Sequence, residues 1–339
     1  MRSLRAREGD FVETIEGSIF DVKGFLHPPE RIVAYLRYLP DAAGDRVRAN
    51  EHYRKVYSLV ERAGILEEKW PTYLYFDRIF NERVQAVPLD KIQRHYDPIV
   101  RLTGLLKKER LDRVEQAAIE LVEVLKSATG LPYGCFGISG SLLVDLHTPT
   151  SDVDPIIYGV GASKKIYEAM NTLVRQGIQF QTYDRSDLLK LYEARSMGAA
   201  MSFDTFAKHE LRKVLEGKFR GRDYFIRCVK NWDEIEENYG DKIYYPAGRM
   251  TIQAIVEDDS EHMFTPCKYE IRNPRILEGK SKESPTEIVS FRGRFCEQTF
   301  NDESIVACGK LEKVVSEEGK AYRLVVGEDS SDFLRAFEA

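Results

Sequence analysis

A pair of aspartates, Asp152 and Asp154, follows Ser141 by eleven and thirteen residues and restricts how this part of the chain can fold. A β-strand places residues i and i+2 on the same face, so the two carboxylates would lie side by side. Adjacent carboxylates repel each other unless a cation lies between them. Mg²⁺ and similar cations prefer oxygen ligands and keep waters or phosphate oxygens in their other positions. The pair therefore predicts a metal site for a phosphorylated substrate, and the alternative is an exposed, Asp-rich turn.

The segment before the acids predicts a strand, a tight turn and a short helix. The apolar run 135–138 has the character of a buried strand and ends at Ser139-Gly140-Ser141. A second apolar run, 142–146, favours a helical turn that packs inward. Free N–H groups at such a turn bind anions, and the serine adds a hydroxyl donor. Gly140 and Ser141 are therefore the predicted phosphate-binding residues.

A strand and a helix are predicted after the acids. The strand runs from Asp152 to Tyr158, and Ser163 is expected to cap a helix over 164–175. Lys164 and Lys165 lie in the first turn of this predicted helix, and we interpret them as triphosphate-binding residues. The alternative for both is an ordinary solvated helix face.

This order of elements resembles the nucleotidyltransferase superfamily, which includes DNA polymerase beta and the CCA-adding enzymes. The superfamily motif is Gly followed by Gly or Ser, a short spacer, and Asp-apolar-Asp-apolar. The matching residues are Gly140-Ser141 and Asp152-Val153-Asp154. Pro155 departs from the motif, which usually has Leu or Ile there, and proline favours a sheet edge or a bulge. Over most of its length the chain also resembles an archaeal group of predicted nucleotidyltransferases, in segments that include 20–24, 27–28, 37–38 and 290–295.

The resemblance implies Mg²⁺ or Mn²⁺ as cofactor, a nucleoside triphosphate such as ATP as substrate, and a third carboxylate on a later strand. Asp223 is the predicted third acid because it begins an apolar, strand-like run, although it can equally be a plain strand-entrance residue. Asp258 and Asp259 are the second choice for this role, but their setting favours a solvated turn. Asp184 is expected to cap a helix instead.

Composition sets outer limits on the chain. It has 339 residues, 43% hydrophobic and 31% charged, as expected for a folded protein of two or three domains. The net charge of −5 disfavours a protein that coats duplex DNA, but not a local basic groove. The five cysteines show no zinc-binding spacing. No signal peptide or apolar run of membrane-spanning length is found, so we expect a cytoplasmic protein with no membrane partner.

The predicted fold class is α+β with three domains. Residues 1–110 form an N-terminal α+β domain, 111–238 the nucleotidyltransferase-like domain with a mixed sheet and helices, and 239–339 an all-β barrel or sandwich. The N-terminal domain is expected to hold a hairpin at Glu16-Gly17, a third strand near 31–36, and helices at 53–63 and near Asp90. In the second domain, helices are expected over 111–126 and within 184–216.

The predicted function is metal-dependent transfer of a nucleoside monophosphate from a triphosphate to an acceptor hydroxyl, with RNA as the first choice of acceptor. Basic residues interleaved with tyrosines support RNA binding in the N-terminal domain, although an ordinary charged surface is the alternative. They are Arg37, Arg46, Arg48, Arg54 and Lys55, with Tyr38, Tyr53 and Tyr57. Other hypotheses are an inactive module that binds RNA or protein, and an enzyme that modifies a protein or a small molecule. The preferred nucleotide and the oligomeric state stay open.

Overall fold

The computed structural model describes residues 4–195 and 201–337 of the chain. Its helices are α1 (Leu59–Lys69), α2 (Pro98–Leu106), α3 (Arg113–Thr129), α4 (Gly140–Leu143), α5 (Val160–Gln176), α6 (Arg185–Ala194) and α7 (Phe203–Glu210). The first ten strands are β1 (Phe11–Thr14), β2 (Ile19–Val22), β3 (Arg31–Pro40), β4 (Arg46–Arg48), β5 (Glu51–Lys55), β6 (Leu74–Asp77), β7 (Glu82–Pro88), β8 (Ile92–Tyr96), β9 (Phe136–Ile138) and β10 (Pro155–Tyr158). The other strands are β11 (Phe180–Gln181), β12 (Glu216–Phe219), β13 (Arg222–Phe225), β14 (Arg227–Val229), β15 (Ile243–Glu261), β16 (Cys267–Gly279), β17 (Glu287–Ser290), β18 (Ser304–Ser316), β19 (Gly319–Val325) and β20 (Phe333–Ala336). The predicted α+β class is confirmed at this level.

The chain divides into two compact units rather than the three predicted domains. The first unit holds the chain up to Arg78, together with Glu82–Ala169 and Gly221–Tyr239. The second holds Ile79–Asn81, Met170–Arg220 and the chain from Gly240 onward. The predicted boundary near residue 110 therefore falls inside one unit, and residues 170–220 group with the C-terminal strands. Both differences arise from long-range packing, which local patterns do not report.

In the first unit, the N-terminal strands form one sheet in the order β4-β5-β3-β2-β1-β8, with β7 paired to β3 and β6 to β7. One face of this sheet packs against the segment that follows β9. The shared core consists of buried side chains from both regions: Phe11, Ile19, Tyr38, Tyr53, Tyr96, Leu143, Val144 and Leu146. Burial of each such side chain contributes roughly 1.5–3 kcal/mol, so this core joins the two predicted domains into one.

A second sheet of the first unit holds the predicted motif. Its order is β14-β10-β9, with β9 antiparallel and β14 parallel to β10. The predicted strand, turn and short helix are present, and the second strand begins at Pro155 rather than at Asp152. Pro155 lies at the start of the central strand, opposite Ile138, and not at a sheet edge. Proline has no N–H to donate to the neighbouring strand. Its absence is tolerated because the hydrogen bond between the strands at this position is made by the preceding residue, Asp154, whose carbonyl accepts from the Ser139 N–H at 2.9 Å.

Helix α3 confirms the prediction over 111–126, and its ends explain why. Asp112 accepts hydrogen bonds from the N–H groups of Val114 and Glu115, and the Glu115 carboxylate accepts from the Asp112 N–H. This capping box starts the helix, and Gly130 ends it with a φ of 69°.

Of three other local predictions, the structure confirms one and corrects two. The hairpin at Glu16-Gly17 joins β1 to β2 as predicted. The predicted helix over 53–63 is wrong in its first half, because Tyr53 pairs with β3 and β4 and the helix starts only after its cap Ser58. The predicted helix near Asp90 is a single tight turn, and Ile92 begins a strand.

The second unit contains a ring of strands. Hydrogen-bonded pairs run from β15 to β16, β17, β19 and β18 and return to β15, while β20 adds to β18. The closure confirms the predicted barrel in place of a sandwich. The ring encloses an apolar core that includes Ile252, Tyr269, Leu311 and Leu324. Helices α6 and α7 lie within the predicted helical stretch 184–216, of which residues 196–200 fall outside the described part of the chain.

Candidate functional site

The two aspartates, here called the acid pair, lie just before strand β10. Val153 is buried and pairs in parallel with Tyr224, so the residues on either side of it point to the opposite face. On that face Asp152 is exposed and Asp154 is half-buried. The two aspartates therefore share a face, as their spacing predicts, on either side of a residue that pairs with a neighbouring strand.

Gly140 is the residue that lets Asp154 take its position. A Cβ atom on Gly140 would lie 1.8 Å from the Asp154 Oδ2 atom, and its φ of +63° is unfavourable for other residues. The predicted turn and the second acid are therefore in direct contact.

Ser141 presents an unusual hydroxyl. Its side chain is 3% exposed, and its Oγ atom is buried and has no hydrogen-bond partner in the described part of the chain. A buried polar group without a partner costs roughly 1–3 kcal/mol, so native proteins rarely retain one without a use. An oxygen-rich ligand above the turn would supply the missing partner.

The loop between the turn and the acids is held by side chains from four directions. Arg46 donates to the Leu146 carbonyl at 2.8 Å and to Ser151 Oγ at 3.4 Å. Arg222 donates to the Ser151 carbonyl at 2.6 Å. Arg101 forms an ion pair with Asp145 at 2.5 Å. These contacts fix the chain immediately before Asp152, which a metal ligand requires.

The fourth contact that holds the loop joins His147 to Asp112, and these two residues belong to a cluster that has the composition of a metal site. His147 lies 2.7 Å from Asp112, and with Glu115 the three side chains bring their ligand atoms within 4.8 Å of one another. However, Lys108 and Arg101 already contact the Glu115 carboxylate, at 2.6 and 3.3 Å, and the aspartate caps α3. The cluster is explained as a helix start that anchors the loop, and no local pattern in the sequence indicated it.

Burial and like charge make the acid pair unfavourable by itself. Burial, and then the charge of Asp152, raises the pKa of Asp154 to about 7, while the positive charges of Arg227, Lys55 and Arg37 act in the opposite direction. The cations only partly offset the repulsion. A metal cation bound between the carboxylates would remove it.

The third acid stays a prediction. The register that pairs Val153 with Tyr224 continues to Ile156 and Arg227, so Asp223 lies beside Asp152 on the neighbouring strand and on the same face. Strands in a sheet are roughly 4.8 Å apart, which is compatible with a shared metal. Within residues 4–195 and 201–337, the acids of the pair are nevertheless not part of any close group of three ligands.

The other acids considered from the sequence have separate settings. Asp258 and Asp259 belong to the second unit, near the end of β15, where Asp258 bonds to Ser260. Asp184 caps α6 as expected, accepting from the Asp187 N–H at 2.8 Å.

One carboxylate near the acid pair was missed. Asp21 on β2 is 9% exposed, and its Oδ1 atom is buried without a partner, while Oδ2 contacts Lys23 at 2.8 Å. Burial acts to raise its pKa, but the charges of Lys23, Arg227 and Arg37 outweigh this and the net pKa is lowered. Arg227 and Arg37 are two of the cations that act on Asp154, so both acids lie in one electrostatic environment. The segment 20–24, which carries part of the archaeal resemblance, was the available signal.

The two predicted lysines lie elsewhere on the first unit. Lys164 and Lys165 are both exposed on α5, and the charge of Lys165 acts on Cys135, at the end of β9 remote from Gly140. Helix α5 begins earlier than predicted, and Glu234 caps it by accepting from the Val160 N–H at 2.9 Å, while Ser163 lies within the helix. The role of Lys164 and Lys165 in binding the triphosphate stays a prediction.

Comparison with known proteins finds a relative of nearly the same length. The uncharacterized protein MJ1086 of Methanocaldococcus jannaschii is 33% identical over 340 residues, which cover 97% of this chain and 98% of that protein. The chain belongs to the same family as MJ1086. The expected archaeal resemblance is thereby confirmed. No family model and no solved structure matches the chain.

Membership of the nucleotidyltransferase superfamily stays a prediction, as does the cytoplasmic location. Among the described residues, none of the helices has the length and apolar character needed to cross a membrane.

Proposed function

We propose that this protein is a metal-dependent nucleotidyltransferase that moves a nucleoside monophosphate from a triphosphate to an acceptor hydroxyl, with RNA as the first choice of acceptor. The observation that carries the proposal is the contact between the Gly-Ser turn and the acid pair. Because Gly140 has no side chain, the Asp154 carboxylate can lie directly against it. A Cβ atom at this position would overlap the Asp154 Oδ2 atom. The next residue, Ser141, holds a buried hydroxyl that lacks a partner.

The residues present fit a divalent cation. Asp152 and Asp154 offer oxygen ligands on one face, which suits Mg²⁺ or Mn²⁺. Burial, and then the charge of Asp152, raises the pKa of Asp154, and such a cation would relieve the repulsion between the two carboxylates. When bound, the cation would neutralise charge on the attacking and leaving oxygens.

The proposed reaction assigns the chain positioning roles. The acceptor oxygen forms a bond to the α-phosphorus, and the bond from that phosphorus to the pyrophosphate oxygen breaks, so pyrophosphate leaves. The hydroxyl proton passes to a carboxylate, for which Asp223 is the candidate because of its place beside Asp152. The Gly140-Ser141 turn would hold phosphate oxygens through its N–H groups and its free hydroxyl. Positioning and charge neutralisation supply most of the rate in reactions of this kind.

Transfer can be tested directly with α-labelled triphosphates. The purified protein is incubated with each of the four nucleotides, Mg²⁺ or Mn²⁺, and total RNA or cell lysate. We expect label in RNA from at least one nucleotide. Asp152→Asn and Asp154→Asn should each lower the rate by about 10³-fold or more, the scale seen when a group that stabilises transition-state charge is removed.

Asp204→Asn is the matched control. This aspartate is exposed on α7 in the second unit, and it belongs to none of the elements that hold the acid pair. The control should transfer label at close to the wild-type rate. Normal transfer by either acid-pair variant, or the absence of transfer to any fraction, would contradict the proposal. Label in the protein or small-molecule fraction alone would keep the chemistry and change the acceptor.

A catalytically inactive binding module is the second candidate. It is favoured by the absence, among the described residues, of a close three-ligand group around the acid pair. Such a module would gain thermal stability from a triphosphate with Mg²⁺, about 2.7 kcal/mol at one hundred times the dissociation constant, without any transfer of label.

A further inference from the structure

Two cations of the N-terminal sheet form no ion pair with an acid among the described residues. Arg37 lies on β3 and Lys55 on β5, and we call them the cation pair. They are adjacent, because Lys55 pairs with Tyr38 and the Val56 N–H donates to the Arg37 carbonyl at 2.9 Å. Both side chains are half-buried. Their contacts are with the ring of Tyr57, whose centroid lies 5.4 Å from the Arg37 guanidinium and 4.9 Å from the Lys55 ammonium.

The cation pair and the acid pair share one electrostatic environment. The charges of Arg37 and Lys55 both act on Asp154, and the charge of Asp152 acts on Lys55. Burial, and then the charge of Arg37, lowers the pKa of Lys55. No carboxylate of the described chain nevertheless comes within the 4.0 Å of an ion pair to either cation. Two half-buried cations held together, with no described carboxylate in direct contact, make a site prepared for an anion.

The neighbouring basic residues do not extend this site into a track. Arg48 contacts the Glu13 carboxylate at 2.5 Å and the hydroxyls of Tyr96 and Tyr53 at 2.7 and 2.8 Å. Arg54 is paired with Asp41 and Glu61. Arg46 is held by the loop before Asp152. A bound strand of RNA would need several free cations along its backbone, whereas two adjacent cations suit a compact anion of high charge.

We propose that Arg37 and Lys55 bind the phosphate chain of the nucleoside triphosphate. The first sheet thereby supplies one wall of the substrate site, opposite the Gly140-Ser141 turn. The guanidinium gives two parallel donors for phosphate oxygens and the ammonium gives a point charge. The identity of the ligand rests on the proposed function, but phosphate-chain binding itself can be measured without catalysis.

The test is binding of inorganic tripolyphosphate and of ATP by calorimetry, in EDTA and at low salt. Wild-type protein should bind both. Arg37→Gln and Lys55→Gln should each weaken binding about tenfold, and the double variant more, since each removes a charge-assisted contact. Arg54→Gln is the matched control, because it removes the same charge from the same sheet at a residue already paired within the protein, and it should bind within twofold of wild type. Asp152→Asn should bind as well as wild type or better without metal.

Each outcome decides the inference separately from the proposed function. If the variants lose tripolyphosphate while no nucleotide is ever transferred, the inference stands and the nucleotidyltransferase proposal fails. If wild-type protein does not bind tripolyphosphate, or if folded Arg37→Gln and Lys55→Gln proteins bind it normally, the inference is overturned even for an active enzyme. Loss of single-stranded RNA binding in these variants, without competition from tripolyphosphate, would also overturn it and assign the cations to the acceptor.

Discussion

The two units differ in how their buried charged side chains are paired. In the second unit, Lys213 is 1% exposed and donates to Glu210 at 2.8 Å, to Glu216 at 3.0 Å and to the Arg294 carbonyl at 2.7 Å. Arg195 contacts the same two carboxylates at 3.1 and 2.8 Å. We call these four side chains the buried charge cluster. Each of its two cations contacts both acids, so its charges balance without any ligand.

The site in the first unit contains similar groups but leaves them apart. The acid pair and the cation pair act on one another electrostatically, yet they form no ion pair. A buried charge that is paired contributes to a defined fold, whereas a charge left unpaired in a partly buried site is a cost that binding can recover. The comparison therefore separates structural charges from those available to a ligand, although the two sets have the same composition.

The largest expected effect tests the same substitution in both units. Lys213→Met should destabilise the protein by about 3–5 kcal/mol, because it leaves two buried carboxylates with only Arg195 to balance them. Lys55→Met should change stability by less than about 1 kcal/mol, since no ion pair is lost and one buried charge is removed. Urea unfolding followed by circular dichroism measures both. Equal losses in the two variants would show that the cation pair is structural as well.

A smaller effect is expected at the contact between turn and acid. Gly140→Ala should cost about 2–3 kcal/mol, from the left-handed backbone and from displacement of Asp154, and should also abolish metal-dependent stabilisation. Gly161→Ala is the control, because a Cβ there meets no atom within 4 Å and the residue lies in α5. The control should be neutral or more stable by up to about 1 kcal/mol. A Gly140→Ala protein that responds normally to Mg²⁺ would break the assigned geometry.

The smallest expected effect is on the pH dependence of the free energy of unfolding. The pKa of Asp154 is raised from 3.8 to about 7 in the folded protein, so the native state keeps a proton that the unfolded chain has lost. The resulting stabilisation is complete below pH 3.8 and is lost as pH rises through 7. Asn imitates the neutral carboxyl, so Asp154→Asn should gain stability over wild type between pH 4 and 8, by on the order of 1–2 kcal/mol after solvent screening.

Denaturant midpoints across that pH range, with and without millimolar Mg²⁺, check the last prediction. The metal should reduce the advantage of the variant, because it stabilises the ionised wild-type pair. Parallel curves for the two proteins would mean that Asp154 carries no unfavourable charge.

Local patterns predicted the parts of this fold that depend on neighbouring residues. Helix α3, the hairpin at Glu16-Gly17 and the turn at Gly140-Ser141 are each specified within a short stretch of the chain. The helix expected over 53–63 failed at Tyr53, where pairing with distant strands overrides local preference. The same limit explains why the N-terminal arginines looked alike as a basic patch. Arg48 and Arg54 are paired with acids of other elements, whereas Arg37 is not.

The sequence by itself determined the acid pair, its neighbouring turn and the strands that hold them, because spacing along a strand fixes which side chains share a face. Only the tertiary structure decided which cations face that pair. Arg37 and Lys55 lie about a hundred residues before the acids in the chain. The two cations share an electrostatic environment with the acids because one face of the N-terminal sheet packs against the motif segment. The choice of a third acid depends in the same way on strand pairing between distant segments. Charges separated so far in the chain carry no periodic signal, and their pairing is set by the packing of the whole unit.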